Sequence, residues 1–448
     1  MNEMFTMTAL ELARVIRDRR LGVEELTRAY IERIEHFDGV NGLNAVAELN
    51  DNAIAQAKKM DSMKTDRSGA MFGLPVLIKD NIDVSGLHTT AGSLALADNL
   101  AKKDAHIVAN LRHNGALILG KTNMTEFANY TGSNMPGGYS SRGGQVKNAY
   151  DSAKTPSGSS SGSAVAMSAG LCSAAVGTDT SFSIVGCVTE NGVTGLKPTH
   201  GSLSSKGIIP IAKTLDSAGP VTRDLTDALL VYSCMKDEVL QPVEPMAPEN
   251  IRLAINIFNR DQVSEEQLAR YDAVLSALKA NRVQITEVTH AYTEYQRDIS
   301  RCEFRHDLEE YLSHSCARRR TLEEIVNYFE ANPDKMMKYG HAYLRGALDG
   351  ASGKLDDIAY IKAMSERKRL RNQILESIGE CDACLMTGPT NIMHFIGLPS
   401  LALKLGMADD GTPRGMILYG TDERRLFAAA LTIEQYCAPI TLPNFVAR

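Results

Sequence analysis

The chain has 448 residues, of which 44% are hydrophobic and 23% charged, and its formal net charge is −6. This length and apolar content allow one large α/β domain, or two smaller ones, with a substantial core. The slightly acidic balance excludes the basic footprint of a nucleic-acid-binding protein, and no apolar run approaches the roughly 20 residues of a membrane span. The N-terminus shows no signal-peptide pattern, so we expect a cytoplasmic protein.

Eight cysteines are scattered along the chain, and a cytoplasmic protein would keep them reduced. Cys381 and Cys384 form a Cys-x-x-Cys pair, but no second pair has metal-ligand spacing, so we interpret them as ordinary thiols. The histidines form no His-x-x-x-His pair beside an acid. We therefore predict no metal and no cofactor, and neither nucleic acid nor membrane as a partner.

Helices are predicted for the first 65 residues. Thr8 and Glu11 fit a capping box at the start of a helix over 8–20, with Gly22 as its stop. Two further helices are predicted over 24–37 and 52–63.

Strands and helices alternate between residues 66 and 237. Short apolar runs predict strands over 76–78, 116–119 and 171–176, and helical patterns fall at 105–113 and 164–169. This alternation predicts an α/β fold with a large mixed, mainly parallel β-sheet covered by helices on both faces.

The next segment, 238–372, is charged and rich in predicted helices. It opens with a strand–helix unit at 251–255 and 265–279, and we interpret the whole segment as an insertion. Residues 373–448 return to the core, with three strands and a closing helix. We expect residues 1–448 to form a single domain.

A lysine at the end of an apolar run is the first residue that indicates chemistry. Lys79 directly follows the run 74–78. Burial disfavours the charged form of a lysine and lowers its pKa, and a neutral lysine can act as a base toward a serine hydroxyl. This pattern indicates Ser-Lys acyl-transfer chemistry rather than a Ser-His-Asp triad.

Two serine-containing loops are candidates for its partners. Residues 157–163 form a Ser/Gly tract around Ser159, which is either a flexible linker or a catalytic loop entering a small-residue helix; it lacks the lysine of a phosphate-binding loop. Residues 177–184 follow a buried strand and include Ser183. This second loop is either a plain turn or a nucleophile loop whose backbone N–H groups form an oxyanion hole.

Together with Lys79, these loops resemble the amidase signature family, serine amidohydrolases with a Ser–cis-Ser–Lys triad. The resemblance covers nearly the whole chain, and its other ordered blocks are residues 73–81, 119–128, 192–199, 215–220 and 397–400. Residues 89–96, 139–145 and 183–185 look most like bacterial peptide amidases, which hydrolyse the C-terminal carboxamide of peptides.

By position, the resemblance implies that Ser183 is the nucleophile, Ser159 the bridging serine and Lys79 the base. It also implies a cis peptide bond between Gly158 and Ser159. The implied oxyanion hole consists of the backbone N–H groups of Thr180, Ser181, Phe182 and Ser183.

Two supporting residues complete the implied site. Ser160 bonds either to the relay or to the backbone of its own loop, and we expect Asp179 to organise the loop rather than to act as an acid. The implied substrate is a small-molecule or peptide amide, and a homodimer is an open alternative to a monomer.

Two features depart from the family pattern. Ser181-Phe182 replaces the usual Gly-Gly or Asp-Gly pair, and phenylalanine, unlike glycine, adopts φ > 0 only at a cost. We therefore expect a reshaped oxyanion loop with the Phe182 ring in the acyl pocket. Glu190 is an unexpected acid in a usually apolar stretch.

These departures leave several functions open. The intact triad favours an amidase with an altered pocket over a weakly active homologue. The alternatives are an acyltransferase and the amidase subunit of a glutamine-dependent amidotransferase.

Overall fold

The computed structural model of the chain describes residues 2–63 and 67–445. The boundary at residues 65 and 66, expected between the N-terminal helices and the core, lies outside the described residues. The strands within these ranges are β1 (Val46–Leu49), β2 (Pro75–Lys79), β3 (Leu117–Thr122), β4 (Tyr139–Ser140), β5 (Gly144–Gln145), β6 (Ala174–Asp179), β7 (Thr194–Lys197), β8 (Ser217–Thr222), β9 (Arg252–Asn256), β10 (Gln284–Val288), β11 (Ala383–Met386), β12 (Ser400–Met407) and β13 (Pro413–Tyr419).

Most of the α-helices begin at a polar N-cap residue, such as Thr8, Ser264 or Thr321. The helices are α1 (Ala9–Arg17), α2 (Val23–Phe37), α3 (Ala53–Ser62), α4 (His106–His113), α5 (Ser161–Ser168), α6 (Val185–Thr189), α7 (Leu225–Met235), α8 (Glu265–Ala280), α9 (Tyr295–His314), α10 (Leu322–Ala331), α11 (Pro333–Met336), α12 (Ala342–Gly350), α13 (Ile358–Ile378), α14 (Ile392–Phe395) and α15 (Glu423–Ile433). Short 3-10 helices cover Asn2–Phe5, Leu94–Leu96, Glu126–Asn129, Pro248–Asn250, Arg260–Gln262 and Glu434–Tyr436.

Eleven strands form one mixed sheet in the order β1-β3-β2-β6-β8-β7-β12-β13-β11-β9-β10. Parallel pairing occurs in two blocks, β3-β2-β6 and β11-β9-β10. The other ladders are antiparallel. Of these, the β12–β13 ladder is a hairpin whose strands are joined by a short turn rather than by a crossover helix. The predicted large mixed sheet is confirmed, and its parallel block β3-β2-β6 carries the candidate site.

Hydrophobic clusters lie on both faces of the sheet. Along β12, Leu401 and Leu403 belong to one cluster, and Ala402 between them belongs to the other. This follows from the alternation of side chains along a strand. Helices α8 and α15 pack into the cluster that contains Leu401 and Leu403. Helices α2, α4 and α5 pack into the cluster that contains Ala402. The predicted helical cover on both faces is thus confirmed.

The first helix begins as the sequence predicts. Thr8 Oγ1 accepts the Glu11 N–H at 3.1 Å, and a Glu11 carboxylate oxygen accepts the Thr8 N–H at 2.8 Å, which completes the capping box. The helix ends at Arg17, and Gly22 is the N-cap of α2 rather than the stop of α1. The expected boundary at residue 20 was therefore wrong.

The Ser/Gly tract is partly helical. Helix α5 begins at Ser161, three residues before the predicted start, and all of its residues are buried. Its small side chains let it pack closely against the sheet, where Ser163 Oγ donates to the Val176 carbonyl at 3.0 Å. The tract is therefore the ordered N-terminal entry of a buried helix and not a flexible linker.

Residues 238–372 contribute to the sheet as well as to its helical cover. The predicted strand–helix unit is present as β9 and α8, and β10 extends the same edge. Helices α9 to α12 and most of α13 follow. No helix in residues 2–63 and 67–445 has the length and apolar character that crossing a membrane requires.

Candidate active site

Two parallel neighbouring strands place Lys79 beside Thr178. Strands β2 and β6 pair with Ile78 opposite Val176, so their last residues lie at the same edge of the sheet. All of β2 is buried, and Lys79 is 0% exposed. Burial disfavours the ammonium form and lowers the pKa of Lys79 to about 7. A substantial fraction of Lys79 is therefore neutral near pH 7.

The Lys79 amino group contacts two serines and one threonine. Its Nζ lies 2.8 Å from Ser159 Oγ and 2.9 Å from Ser160 Oγ. It also lies 2.9 Å from Thr178 Oγ1 and 3.1 Å from the Thr178 carbonyl oxygen. The structure thus brings together the predicted lysine and the predicted bridging serine, which are 80 residues apart in the chain.

The hydroxyl groups of Ser159 and Ser160 differ in their hydrogen-bond partners. Ser160 Oγ donates to the Thr178 carbonyl at 3.0 Å, so toward Lys79 it acts as an acceptor. Ser159 Oγ has no hydrogen-bond partner besides Lys79 in the described part of the chain. The Ser159 proton is therefore free to move to neutral Lys79. Ser160 combines both roles that the sequence left open, because it contacts Lys79 and the backbone.

Among the described residues, three lysines are fully buried at or near strand ends, namely Lys79, Lys121 and Lys197. Lys121 Nζ bonds to the His88 carbonyl at 2.8 Å and lies 3.5 Å from Asp80 Oδ1. Lys197 Nζ bonds to the Pro198 carbonyl at 3.0 Å. Of the three, Lys79 alone contacts a serine hydroxyl. These lysines share a strand-end position and differ in the groups that they contact.

The peptide bond between Gly158 and Ser159 is cis. A Cβ atom at Gly158 would lie 2.4 Å from Thr125 Oγ1, which is closer than real side chains approach. Thr125 Oγ1 is itself fixed as the acceptor of the Gly138 N–H at 2.8 Å. Glycine is required at position 158 by this close approach.

Ser183 follows β6 and is 6% exposed. Its carbonyl oxygen accepts the Ser160 N–H at 3.1 Å, which ties the two serine loops together. Within residues 2–63 and 67–445, no hydrogen bond joins Ser183 Oγ to Ser159 Oγ. The second contact of the implied relay is thus not formed in this structure. Catalytic hydrogen bonds often tighten only with substrate bound.

Asp179 anchors the loop that carries Ser183. Its Oδ2 accepts the N–H groups of Ile184 at 2.7 Å and Val185 at 3.1 Å, at the start of α6. Residues 180–183, which lie between Asp179 and Ile184, form an open turn. These contacts are compatible with the organising role expected for Asp179, which stays a prediction.

Four consecutive N–H groups in this turn have no hydrogen-bond partner among the described residues. They belong to the residues expected to form the oxyanion hole, Thr180, Ser181, Phe182 and Ser183. A loop that presents several such N–H groups can stabilise the negative charge of a tetrahedral intermediate.

Phe182 adopts a positive φ, which a phenylalanine side chain disfavours. Its φ is +66°, in the left-handed region. Its ring packs edge-on against the His394 imidazole, with the ring centroids 4.4 Å apart. The loop therefore keeps a glycine-like turn despite the phenylalanine, and the ring is placed against His394.

His394 is a buried residue of α14 that sequence reasoning missed. Its Nδ1 lies 3.2 Å from Asp179 Oδ1, out of hydrogen-bond alignment, and its Nε2 has no hydrogen-bond partner among the described residues. Burial alone would raise the pKa of Asp179, but attraction to His394 and the bonds from the loop outweigh it and lower the pKa to about 2. The sequence offers no local signal for this pair, because 215 residues separate its members.

Asp216 was also missed as an individual residue, although it lies in the family-like block 215–220. Its carboxylate accepts Thr180 Oγ1 at 2.5 Å and the N–H groups of Ile211 and Ala212. Burial raises its pKa to about 7. Asp216 and Thr180 line a pocket at this edge of the sheet, together with Asn81, Ala128, Thr178 and Ser217. A substrate in this pocket would lie beside the relay.

One group of side chains has the composition of a metal site. His306, Asp307 and Glu310 on α9 have ligand atoms within 4.8 Å of one another. Lys213 already engages two of them: its N–H donates to Asp307 Oδ2 at 2.7 Å and its Nζ contacts Glu310 Oε2 at 2.6 Å. We interpret this group as an ion-pair cluster.

Comparison with known proteins assigns the family. The family model described as Amidase matches residues 25–391. A probable amidase of Arabidopsis thaliana is 30% identical over 96% of this chain and 90% of its own length. A glutamyl-tRNA(Gln) amidotransferase subunit of Ectopseudomonas mendocina is 32% identical over 90% of this chain and 85% of its own.

Solved structures agree with the sequence comparison. The native peptide amidase from Stenotrophomonas maltophilia superposes with a TM-score of 0.91, at 31% identity, over 98% of both chains. A peptide amidase in complex with the competitive inhibitor chymostatin gives a TM-score of 0.92, at 31% identity, over 98% of this chain and 99% of that one. The chain therefore belongs to the amidase family and is an amide-hydrolysing enzyme.

Proposed function

We propose that the enzyme cleaves a primary carboxamide, such as the C-terminal amide of a peptide or amino acid, through a Ser-Ser-Lys relay. The observation that carries this proposal is the 2.8 Å contact between buried Lys79 Nζ and Ser159 Oγ. The lowered pKa of Lys79 supplies the neutral amine that the relay needs. The likeness to peptide amidases supports the substrate class.

The proposed reaction begins with proton transfer. Lys79 takes the Ser159 proton, and Ser159 takes the proton of Ser183, whose Oγ attacks the amide carbonyl carbon. The N–H groups of residues 180–183 stabilise the oxyanion. The C–N bond then breaks as the proton returns through Ser159 to the leaving nitrogen, which departs as ammonia. Water attacks the acyl-enzyme by the same relay and releases the carboxylic acid.

The test is ammonia release from a peptide amide by the wild type and by Ser183→Ala. Removing one member of such a relay costs on the order of 10⁴–10⁶-fold in kcat. Near-normal turnover by Ser183→Ala would overturn the assignment of the nucleophile. Release of the free acid in equal amount separates hydrolysis from transfer of the acyl group to another acceptor.

A second candidate is the amidase subunit of a glutamine-dependent amidotransferase. It is supported by relatives named as subunits of glutamyl-tRNA(Gln) amidotransferase. Hydrolysis of free glutamine, together with copurification of a second subunit, would favour this candidate. The cytoplasmic location, the single domain and the homodimer stay predictions from the sequence.

A further inference from the structure

A second cleft opens beside the loop that carries Ser159. Its lining is mostly polar and consists of Asn129, Gly137, Thr155, Ser157, Gly158 and Glu190. Gly158 directly precedes Ser159, and Asn129 directly follows Ala128, which lines the pocket beside the relay, so the cleft borders the site of the proposed relay. For a substrate bound at Ser183, this cleft is the adjoining space on the side of Gly158.

Helix α6, which follows Ser183 in the chain, places Glu190 at the cleft. It is the C-cap of α6, which begins two residues after Ser183. Its backbone is fixed at both ends: its N–H donates to the Cys187 carbonyl at 3.3 Å, and its carbonyl accepts Asn148 Nδ2 at 2.9 Å. The position of Glu190 relative to Ser183 is therefore set by a short, rigid segment.

The Glu190 carboxylate is half-buried and makes no hydrogen bond or ion pair with any residue in 2–63 and 67–445. The nearby cations are engaged elsewhere. Lys154 Nζ lies 3.2 Å and Arg414 Nη2 3.7 Å from Asp410 Oδ2. Arg414 also donates to Thr412 Oγ1 and to the Pro413 carbonyl. Glu190 is thus a negative charge without a direct partner, and burial raises its pKa.

The open cleft leaves this carboxylate accessible to a ligand, and a cation from a ligand would form a charge-assisted hydrogen bond with it. In a primary carboxamide the leaving group is ammonia, so a group recognised away from the reacting bond belongs to the acyl part. We infer that Glu190 is a specificity-determining residue that selects amides whose acyl part carries a protonated amine or a guanidinium group. This inference rests on the proposed function.

The experiment compares kcat/KM for amides that differ in one positive charge. Leucinamide against N-acetyl-leucinamide tests an α-amine, and N-acetyl-lysinamide against N-acetyl-norleucinamide tests a side-chain amine. We expect the wild type to prefer the cationic member of at least one pair. Glu190→Gln, which keeps the shape and removes the charge, should reduce that preference by roughly 10- to 100-fold.

The matched control is Glu287→Gln, the same change at an exposed residue of the edge strand β10. It should leave the preference unchanged. A ratio of kcat/KM values does not depend on the fraction of folded enzyme, so a partly unfolded Glu190→Gln preparation still gives an answer. Charge reversal in Glu190→Lys should lower the preference further.

The outcomes separate the inference from the proposed function. Hydrolysis of both members of each pair with equal efficiency, unchanged in Glu190→Gln, would overturn the inference alone. Hydrolysis of no amide by the wild type would overturn the proposed function and the inference with it.

Discussion

His394 Nδ1 lies 3.2 Å from Asp179 Oδ1, and both side chains are fully buried. This pair connects α14, in the last quarter of the chain, to the loop that carries Ser183. Asp179 holds the start of α6 through two backbone N–H groups, and the His394 ring packs against Phe182. The two residues fix the loop from both sides and leave its central N–H groups open.

Loss of His394 should destabilise the protein strongly. His394→Ala leaves the Asp179 carboxylate buried without its neighbour, which costs about 3–5 kcal/mol in the free energy of unfolding. Urea unfolding at pH 7 measures this, with His113→Ala, at an exposed histidine, as the control. A change below 1 kcal/mol in His394→Ala would show that the pair contributes little.

The Asp179–His394 pair should make the free energy of unfolding depend on pH in the acid range. The pKa of Asp179 is lowered in the folded state to about 2 from an ordinary 3.8. Its contribution is therefore present above about pH 4 and is lost as the pH falls toward 2. The difference in unfolding free energy between wild type and Asp179→Asn should shrink over this interval. A difference that is constant down to pH 2 would contradict the lowered pKa.

Activity should depend on the ionisation of Lys79. Because the relay needs the neutral amine and the pKa of Lys79 is about 7, kcat/KM should rise with pH through about 7 and fall roughly tenfold per unit below it. Asp216 also has a pKa of about 7, so the profile is repeated with Asp216→Asn. The acid limb should persist in that variant. A profile that is flat from pH 5 to 9 in the wild type would exclude Lys79 as the base.

Phe182 offers a test of the left-handed turn. Because its φ is +66°, glycine should be more favourable there than alanine by about 1 kcal/mol. Phe182→Gly and Phe182→Ala both remove the ring, so the difference between their unfolding free energies isolates the backbone. Equal stability of the two variants would mean that the turn does not require a positive φ.

The sequence predicts the parts of the site that depend on local pattern. Lys79 and Thr178 meet because they lie at the same end of adjacent parallel strands, and the apolar runs that form those strands are visible in the sequence. Ser159 precedes a helix of small residues, which places it at the same edge of the sheet.

The parts that depend on distant packing could not be predicted. His394 reaches Asp179 only because α14 folds back onto the loop, and no periodicity indicates this. Lys121 and Lys197 have the same strand-end pattern as Lys79 but different neighbours. The antiparallel centre of the sheet pairs strands that are distant in the chain, such as β7 and β12, and the β12–β13 hairpin was not recognised in the apolar pattern.

The central claim is that Ser183 is an activated nucleophile, and labelling with a fluorophosphonate tests it most directly. Intact mass spectrometry is applied to the wild type and to Ser183→Ala, with Ser161→Ala as a control at a buried serine of α5 that does not contact Lys79. The account predicts one adduct on the wild type and on Ser161→Ala, and none on Ser183→Ala. An adduct on Ser183→Ala, or none on the wild type, would contradict it.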